Sequence, residues 1–299
     1  MAPPHYLGVD IGGTKVALRV ETDAGCVDET TFRWVPRHSA AQDLAQLAQH
    51  VDELRTRIGR PLRAVGVAMP GTVGPDGRVT AWPSRPAWNG LDLDTSLRAL
   101  FGEAAVAWAD DGDLGALAEA RDSGCDDLLY VGVGTGVGGG LVLNGAPCPG
   151  FRRGSFEIGH VIIELDGTLC VCGRQGCLQA IASGPATLER AALLLGAAVT
   201  FDDLRQALSR EQPWAVSAVD RTARALAAAV TGVRELVHPE RAVIGGGFAA
   251  GIPEMVGWVS AHLTELARPG QPPLLAEPAA LGGLSSLRGA VSLARLIAS

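Results

Sequence analysis

Twice in this chain an apolar, β-prone run breaks at glycine and threonine and then resumes as a second apolar run. The first instance is "YLGVDIGGTKVALRVE", residues 6–21, and the second is "DLLYVGVGTGVGGGLVLNG", residues 127–145. A strand, a Gly-rich turn and another strand make a hairpin. A P-loop needs a helix directly after its glycines, and neither stretch has the Walker A or Rossmann spacing. Helical periodicity follows each hairpin, over 40–58 with Leu44, Leu47, Val51, Leu54 and Ile58 on one face, and over 184–195. Hairpin strands and then a helix, near 6–58 and again near 127–195, predict two α/β domains of similar build with a cleft between them.

The remaining pattern fits that reading. A third strand is expected at 26–34, a buried strand at 62–71 ending on Pro70-Gly71, a short helix at 93–101, a strand at 104–108 and a helix at 112–122. Residues 146–178 read as irregular, followed beyond 195 by helices at 201–209 and 213–237, a strand turning into a helix at 241–250, a last strand and a C-terminal helix at 287–298. At 47% hydrophobic residues the 299-residue chain can bury a sizeable core, so disorder is not expected. A net charge of −7 argues against a nucleic-acid or anionic-membrane surface. No apolar run is long enough to span a bilayer, and the N-terminus lacks a signal-peptide pattern, so a cytoplasmic protein is expected.

Three glycine turns could hold phosphate. In "DIGGTK" Gly12 and Gly13 let backbone N–H groups approach a ligand, Thr14 and Lys15 add a hydroxyl and a cation, and Asp10 is placed to hold a hydrated Mg²⁺. Lys15 is the only lysine in the chain. In "GVGTGVGGG" Thr135 stands between glycines as Thr14 follows them, and "IGGGFA" opens a helix whose N-terminus suits a nucleotide. The plainer reading of each turn alone is a tight hairpin without a ligand. Three in one chain point to a nucleotide-phosphate site.

The six cysteines are unevenly spread, with Cys170, Cys172 and Cys177 crowded into eight residues and His160 just upstream. Four soft or borderline ligands with a Cys-x-Cys pair match a closed, structural Zn²⁺ site in a reduced compartment. Buried free thiols beside an unrelated histidine are the plainer alternative. A nucleic-acid zinc knuckle is disfavoured by the acidic flanks Glu157, Glu164 and Asp166.

These motifs, in this order and spacing, resemble the ROK family of bacterial sugar kinases within the actin-like ATPase superfamily: "DIGGTK", "AMPGTV", "GVGTGVGGG", "EIGH", "CVCGRQGCLQ" and "IGGGFA". The resemblance covers nearly the whole chain. It implies two actin-like (ribonuclease H-like) α/β domains, a smaller one of residues 1–108 plus 288–299 and a larger one of 109–287 carrying a zinc loop at 157–179. It also implies ATP with Mg²⁺ and transfer of the γ-phosphoryl to a sugar hydroxyl, usually O6. A homo-oligomer, dimer or tetramer, is expected on the same ground. With the first strand starting at Tyr6, no N-terminal DNA-binding domain of the kind found in ROK repressors is expected.

By the same resemblance, Asp10, Gly12, Gly13, Thr14 and Lys15, with Gly134, Thr135 and Gly136, would cradle the phosphates, and Gly246 and Gly247 would border the adenosine. Asp111 would be the catalytic base. Gly71, Asn89, Asp110, Glu157, His160 and Gln179 would line the sugar, with His160 also ligating zinc. Three positions depart from the family: Asp110 stands where an Asn is usual, Gln179 where a Glu is usual, and Phe156 where a small residue is favoured. Asn to Asp replaces a donor-acceptor amide by an acceptor-only charge beside Asp111. An ammonium on the sugar would answer that charge. The expected substrate is therefore an aminosugar, kanosamine (3-amino-3-deoxyglucose), phosphorylated on its 6-hydroxyl. Glucose or another hexose, a C7-cyclitol and a non-catalytic sugar sensor are the alternatives. Asp113, in the first turn of the expected helix, needs only a structural role.

Overall fold

Gly12 to Lys15 close the first hairpin, as the Gly12 N–H donates to the Lys15 carbonyl at 2.9 Å and Ile11 pairs with Val16. The computed structural model describes residues 3–36, 39–150 and 154–298. It divides the chain into two compact units. The first comprises Met1–Ala118, Pro149–Ser155 and Leu284–Ser299, and the second Glu119–Cys148 and Phe156–Gly283.

In the first unit the hairpin is β1 (His5–Ile11) and β2 (Lys15–Thr22), continued by β3 (Gly25–Arg33). Helix α1 (Ala40–Ile58) starts at a capping box, with the Ser39 hydroxyl accepting from the Gln42 N–H, and stops at Gly59 in the left-handed conformation. Strand β4 (Leu62–Ala68), a small hairpin of β5 (Thr72–Val73) and β6 (Val79–Ala81), helix α2 (Leu93–Phe101), strand β7 (Ala105–Ala109) and helix α3 (Asp111–Ser123) follow. The sheet order is β3-β2-β1-β4-β7, with β1, β4 and β7 parallel. The core on one side gathers Leu7, Val9, Val16, Leu18, Leu47, Val51 and Leu54. Alternation in β2 is the period-2 signature of one buried face.

The second unit repeats the strand order. Strands β8 (Leu128–Val133), β9 (Val137–Leu143), β10 (Ala146–Cys148), β11 (Arg241–Gly245) and β12 (Ala276–Pro278) form a sheet ordered β10-β9-β8-β11-β12, with β8, β11 and β12 parallel. Between them run α4 (Leu178–Ala182), α5 (Gly184–Leu195), α6 (Phe201–Leu208), α7 (Pro213–Val237), α8 (Gly247–Ala250) and α9 (Glu254–Glu265). The long α7 is the spine, burying Val219, Ala223, Leu226 and Val230 in one row. The last helix, α10 (Ser285–Ala298), belongs to the first unit and packs on β1 and β4. Among the described residues no helix is long and apolar enough to cross a membrane.

Two expectations are corrected. The stretch 146–178 is not wholly irregular, because β10 pairs with β9 and a 3₁₀ turn forms at Ile158–His160. The helix after "IGGG" is a single turn, so its N-terminus carries little dipole. The helical stretch that packs the core there is α9, which the short-range pattern did not reveal. The β5–β6 hairpin is a further addition, two and three residues long and below what periodicity detects.

Candidate active site and metal centre

In a parallel sheet every strand ends on the same edge, and ligands bind beyond the carboxyl ends. Lateral register in the first unit aligns Asp10 with Ala68 and Ala68 with Ala109. The residues that follow these strands, Gly12 to Lys15, Pro70-Gly71 and Asp110-Asp111, therefore leave one edge together. The sequence places them up to a hundred positions apart.

Asp10 is half-buried on β1. Burial and the nearby Asp111 carboxylate raise its pKa to about 7, while Lys15 pulls the other way. A desolvated carboxyl that feels a second carboxylate is a poor arrangement for a bare protein and a suitable one for a divalent cation. That oxygen-only donor chemistry fits Mg²⁺, which takes one or two carboxylates and keeps its waters. The folded state binds the extra proton between about pH 4 and pH 7, so the stabilisation is complete below pH 4 and is lost as pH rises through 7. In magnesium-free buffer stability is expected to fall from pH 5 to pH 8 by on the order of a few kcal/mol, and the melting temperature with it. Asp10→Asn should flatten that slope. Thermal melts giving parallel pH profiles for variant and wild type would refute it.

Asp110 is the N-cap of α3. Its Oδ1 accepts from the Gly112 N–H at 2.9 Å, and its carbonyl accepts from the Leu114 N–H at 3.0 Å. Asn would cap equally well through the same oxygen. With one oxygen pinned, Asn and Asp differ only in the other half of the group, an NH₂ against an anionic oxygen. Asp111 is the first residue of α3 and Asp113 is buried in its first turn. Gly71 sits where a Cβ would press on Met69 and Trp82. Asn89 is exposed, and its Oδ1 accepts from the Trp82 N–H at 3.1 Å, which closes the 82–89 loop.

The other expected residues lie in the second unit. Gly134 donates to the Gly136 carbonyl at 2.9 Å, so Thr135 tips the β8–β9 turn. Register pairs Gly132 with Gly245, bringing that turn beside Gly246 and Gly247 at the ends of parallel β8 and β11. Gly246 has φ +87° and a Cβ there would overlap the Val133 backbone, so only glycine suits it. Gln179 is turned onto the same turn: its Oε1 accepts from the Val137 N–H at 3.1 Å. Its amide oxygen thus has a structural partner on the β8–β9 turn, a placement the motif alone did not disclose.

Glu157 precedes the 3₁₀ turn that carries His160, and the His160 N–H donates to the Glu157 carbonyl at 3.0 Å. That turn lies on β9 because Gly159 has no Cβ to strike the Val137 carbonyl. Ligand atoms of His160, Cys170, Cys172 and Cys177 all lie within 4.8 Å of one another. Ligands about 2.0–2.3 Å from a shared Zn²⁺ are spaced roughly 3.3–3.8 Å apart in a tetrahedron. The observed 3.8 Å from Cys170 Sγ to His160 Nδ1 and 3.6 Å from Cys172 Sγ to Cys177 Sγ fit. Hydrogen bonds from the Arg174 backbone and side chain lower the Cys172 thiol to about 6, and burial pushes Cys177 up to about 11. Arg221 of α7 pairs with Glu164 and ties the loop to the unit's spine.

One cluster escaped the motif reading. Asp43 is 0% exposed, and its Oδ2 accepts from Arg85 Nη1 at 2.6 Å and Trp88 Nε1 at 2.8 Å. The available signal was its register with Leu47, Val51 and Leu54, a charge on the buried face of α1. Glu119 was also missed. It is buried on α3 and accepts from the Ala280 and Leu281 N–H groups at 3.0 and 3.1 Å.

Residues 6–296 match the ROK family. Over its full length the chain is 69% identical to a kanosamine kinase of Amycolatopsis mediterranei (strain S699), covering 100% of this chain and 99% of that protein. A glucokinase of Halalkalibacterium halodurans is 27% identical over 90% of this chain and 88% of that protein. Among solved structures, a ROK hexokinase from Thermus thermophilus aligns with a TM-score of 0.84 at 26% identity, covering 98% of each chain. A ROK family glucokinase from Streptomyces griseus, in complex with glucose and AMPPNP, aligns with a TM-score of 0.79 at 26% identity, covering 98% of this chain and 99% of that one.

Proposed function

The chain belongs to the ROK family, and from that premise we propose that it is an ATP-dependent kanosamine kinase acting on the 6-hydroxyl. The observation that carries the reading is full-length 69% identity to a kanosamine kinase. The Asp110 departure supports it from chemistry, because a carboxylate oxygen beside Asp111 favours a substrate that brings a positive charge.

In this reading Asp111 accepts the proton of the 6-hydroxyl as its oxygen bonds to the γ-phosphorus and the bond to the β-phosphate oxygen breaks, leaving ADP. Asp110 binds the C3 ammonium. The backbone of Gly12 to Lys15 and of Gly134 to Gly136 faces phosphate, Lys15 adds charge, and Gly246 and Gly247 border the adenosine. Asp10 would hold the Mg²⁺, which offsets the phosphates' negative charge. Glu157 and His160 bind sugar hydroxyls. The Nδ1 of His160 faces Cys170, so Zn²⁺ there would fix the ring and leave its other edge for the sugar. Gln179, with its oxygen on Val137, supports the phosphate turn as well as any sugar contact.

The test is a panel of sugars and aminosugars with ATP, read by mass spectrometry and by nuclear magnetic resonance for the phosphorylated position. Equal or better kcat/KM on glucose would overturn the substrate assignment. Asp110→Asn keeps the helix cap, so its melting temperature should stay near wild type. Its kcat/KM for kanosamine should fall about 10- to 100-fold, the worth of one charge-assisted hydrogen bond, while that for glucose holds or rises. An unchanged preference ratio would remove Asp110 from the specificity argument.

A further inference from the structure

We propose that Arg85, braced by Asp43, is a positioning residue that aims the peptide planes of the Gly12–Thr14 turn at the nucleotide phosphates. The proposal deepens the kinase reading and rests on it. Three carbonyls of the turn are held by donors from behind. Trp34 Nε1 donates to the Gly12 carbonyl at 2.8 Å, Arg85 Nε to the Gly13 carbonyl at 3.1 Å, and the Trp34 N–H to the Thr14 carbonyl at 3.2 Å. In a trans peptide the C=O and the following N–H point in opposite directions. Fixing these carbonyls toward Trp34 and Arg85 therefore points the N–H groups of Gly13, Thr14 and Lys15 the other way. Successive N–H groups presented together make an anion-binding concavity.

The brace is built, not incidental. The Arg85 guanidinium lies 4.7 Å from the centre of the Trp34 ring, so the two donors that hold the turn also hold each other. Arg85 Nη1 meets Asp43 Oδ2 at 2.6 Å, and the Trp88 indole N–H reaches the same oxygen. The other carboxylate oxygen, Asp43 Oδ1, is buried and has no hydrogen-bond partner among the described residues. A fold selected for stability alone gains little from a buried carboxylate with one oxygen unanswered. Its position is explained by what it does to the guanidinium: one fork of Arg85 is anchored on α1 and the Nε edge is left for Gly13. Lysine could satisfy Asp43 but cannot offer both edges at once.

The experiment compares wild type, Arg85→Lys and the double variant Asp43→Asn with Arg85→Met, which leaves no unpaired buried charge. Each is measured by thermal melts, by calorimetric binding of Mg·AMPPNP and by steady-state kinetics. The nucleotide Kd and the KM for ATP should rise about tenfold in both, roughly 1.4 kcal/mol. The KM for the sugar should stay within about twofold, as expected when only nucleotide contacts change. Arg85→Lys should recover most of the melting temperature without recovering nucleotide affinity. Loss of stability with unchanged nucleotide affinity overturns the proposal and leaves a purely structural ion pair. If the double variant does not fold, Arg85→Lys decides alone. Wild type that binds Mg·AMPPNP but turns over no sugar would sink the kinase reading, while the affinities would still judge Arg85.

Discussion

Asp111→Asn is expected to lower kcat by about 10³-fold, within the range set by loss of a general base, while the KM values for ATP and sugar move little. The amide keeps the shape and the first-turn position on α3 but cannot take the proton of the attacking hydroxyl. A second consequence separates this from general damage. The Asp111 charge is one of the two causes that raise the Asp10 pKa. With that charge removed, Asp10 should titrate lower, the neutral-pH form should be more stable, and the fall of melting temperature between pH 5 and 8 should shrink. A folded variant with low kcat, intact binding and a flatter pH profile is the expected combination. Retention of more than a tenth of wild-type kcat would rule out Asp111 as the base.

Removing the metal site is expected to have the larger effect on folding. Purified protein should carry about one Zn²⁺ per chain, and Cys177→Ser should abolish its retention, because a closed structural site needs all four ligands. Cys177 is 0% exposed, so without the ion its loop holds a buried polar group with no ligand to answer. The melting temperature should drop by about 5 °C or more, corresponding to a few kcal/mol at this chain length. KM for the sugar should rise more than KM for ATP, since His160 belongs to the same ligand cluster and follows Glu157 in a single turn. Elemental analysis showing no zinc in active, fully folded protein would end the assignment.

The local parts of this molecule were legible. The strands ending at Ile11 and Val133, the capped helix from Ala40 and the spine from Pro213 all follow from periodicities and turn residues a few positions apart. The cysteine cluster was legible for the same reason, since three of its four ligands lie within eight residues. The one-turn α8 misled because a glycine run before small apolar residues looks the same whether one helical turn follows or five. Asp43 went unnoticed because its partner Arg85 is 42 residues away in a proline-flanked loop with no periodicity.

Sequence alone therefore determined the candidate groups: Gly-rich turns after strands, a His/Cys ligand set, and the adjacent carboxylates Asp110 and Asp111. Tertiary structure decided what those groups feel. The register Asp10–Ala68–Ala109 brings Asp10 to Asp111 and raises its pKa; the cap on Gly112 fixes which half of Asp110 can matter; Gln179 is turned onto Val137; Arg85 reaches Gly13. The reason is physical. Turn and helix preferences are settled among neighbours, whereas strand order and register are settled by which distant faces can be buried together.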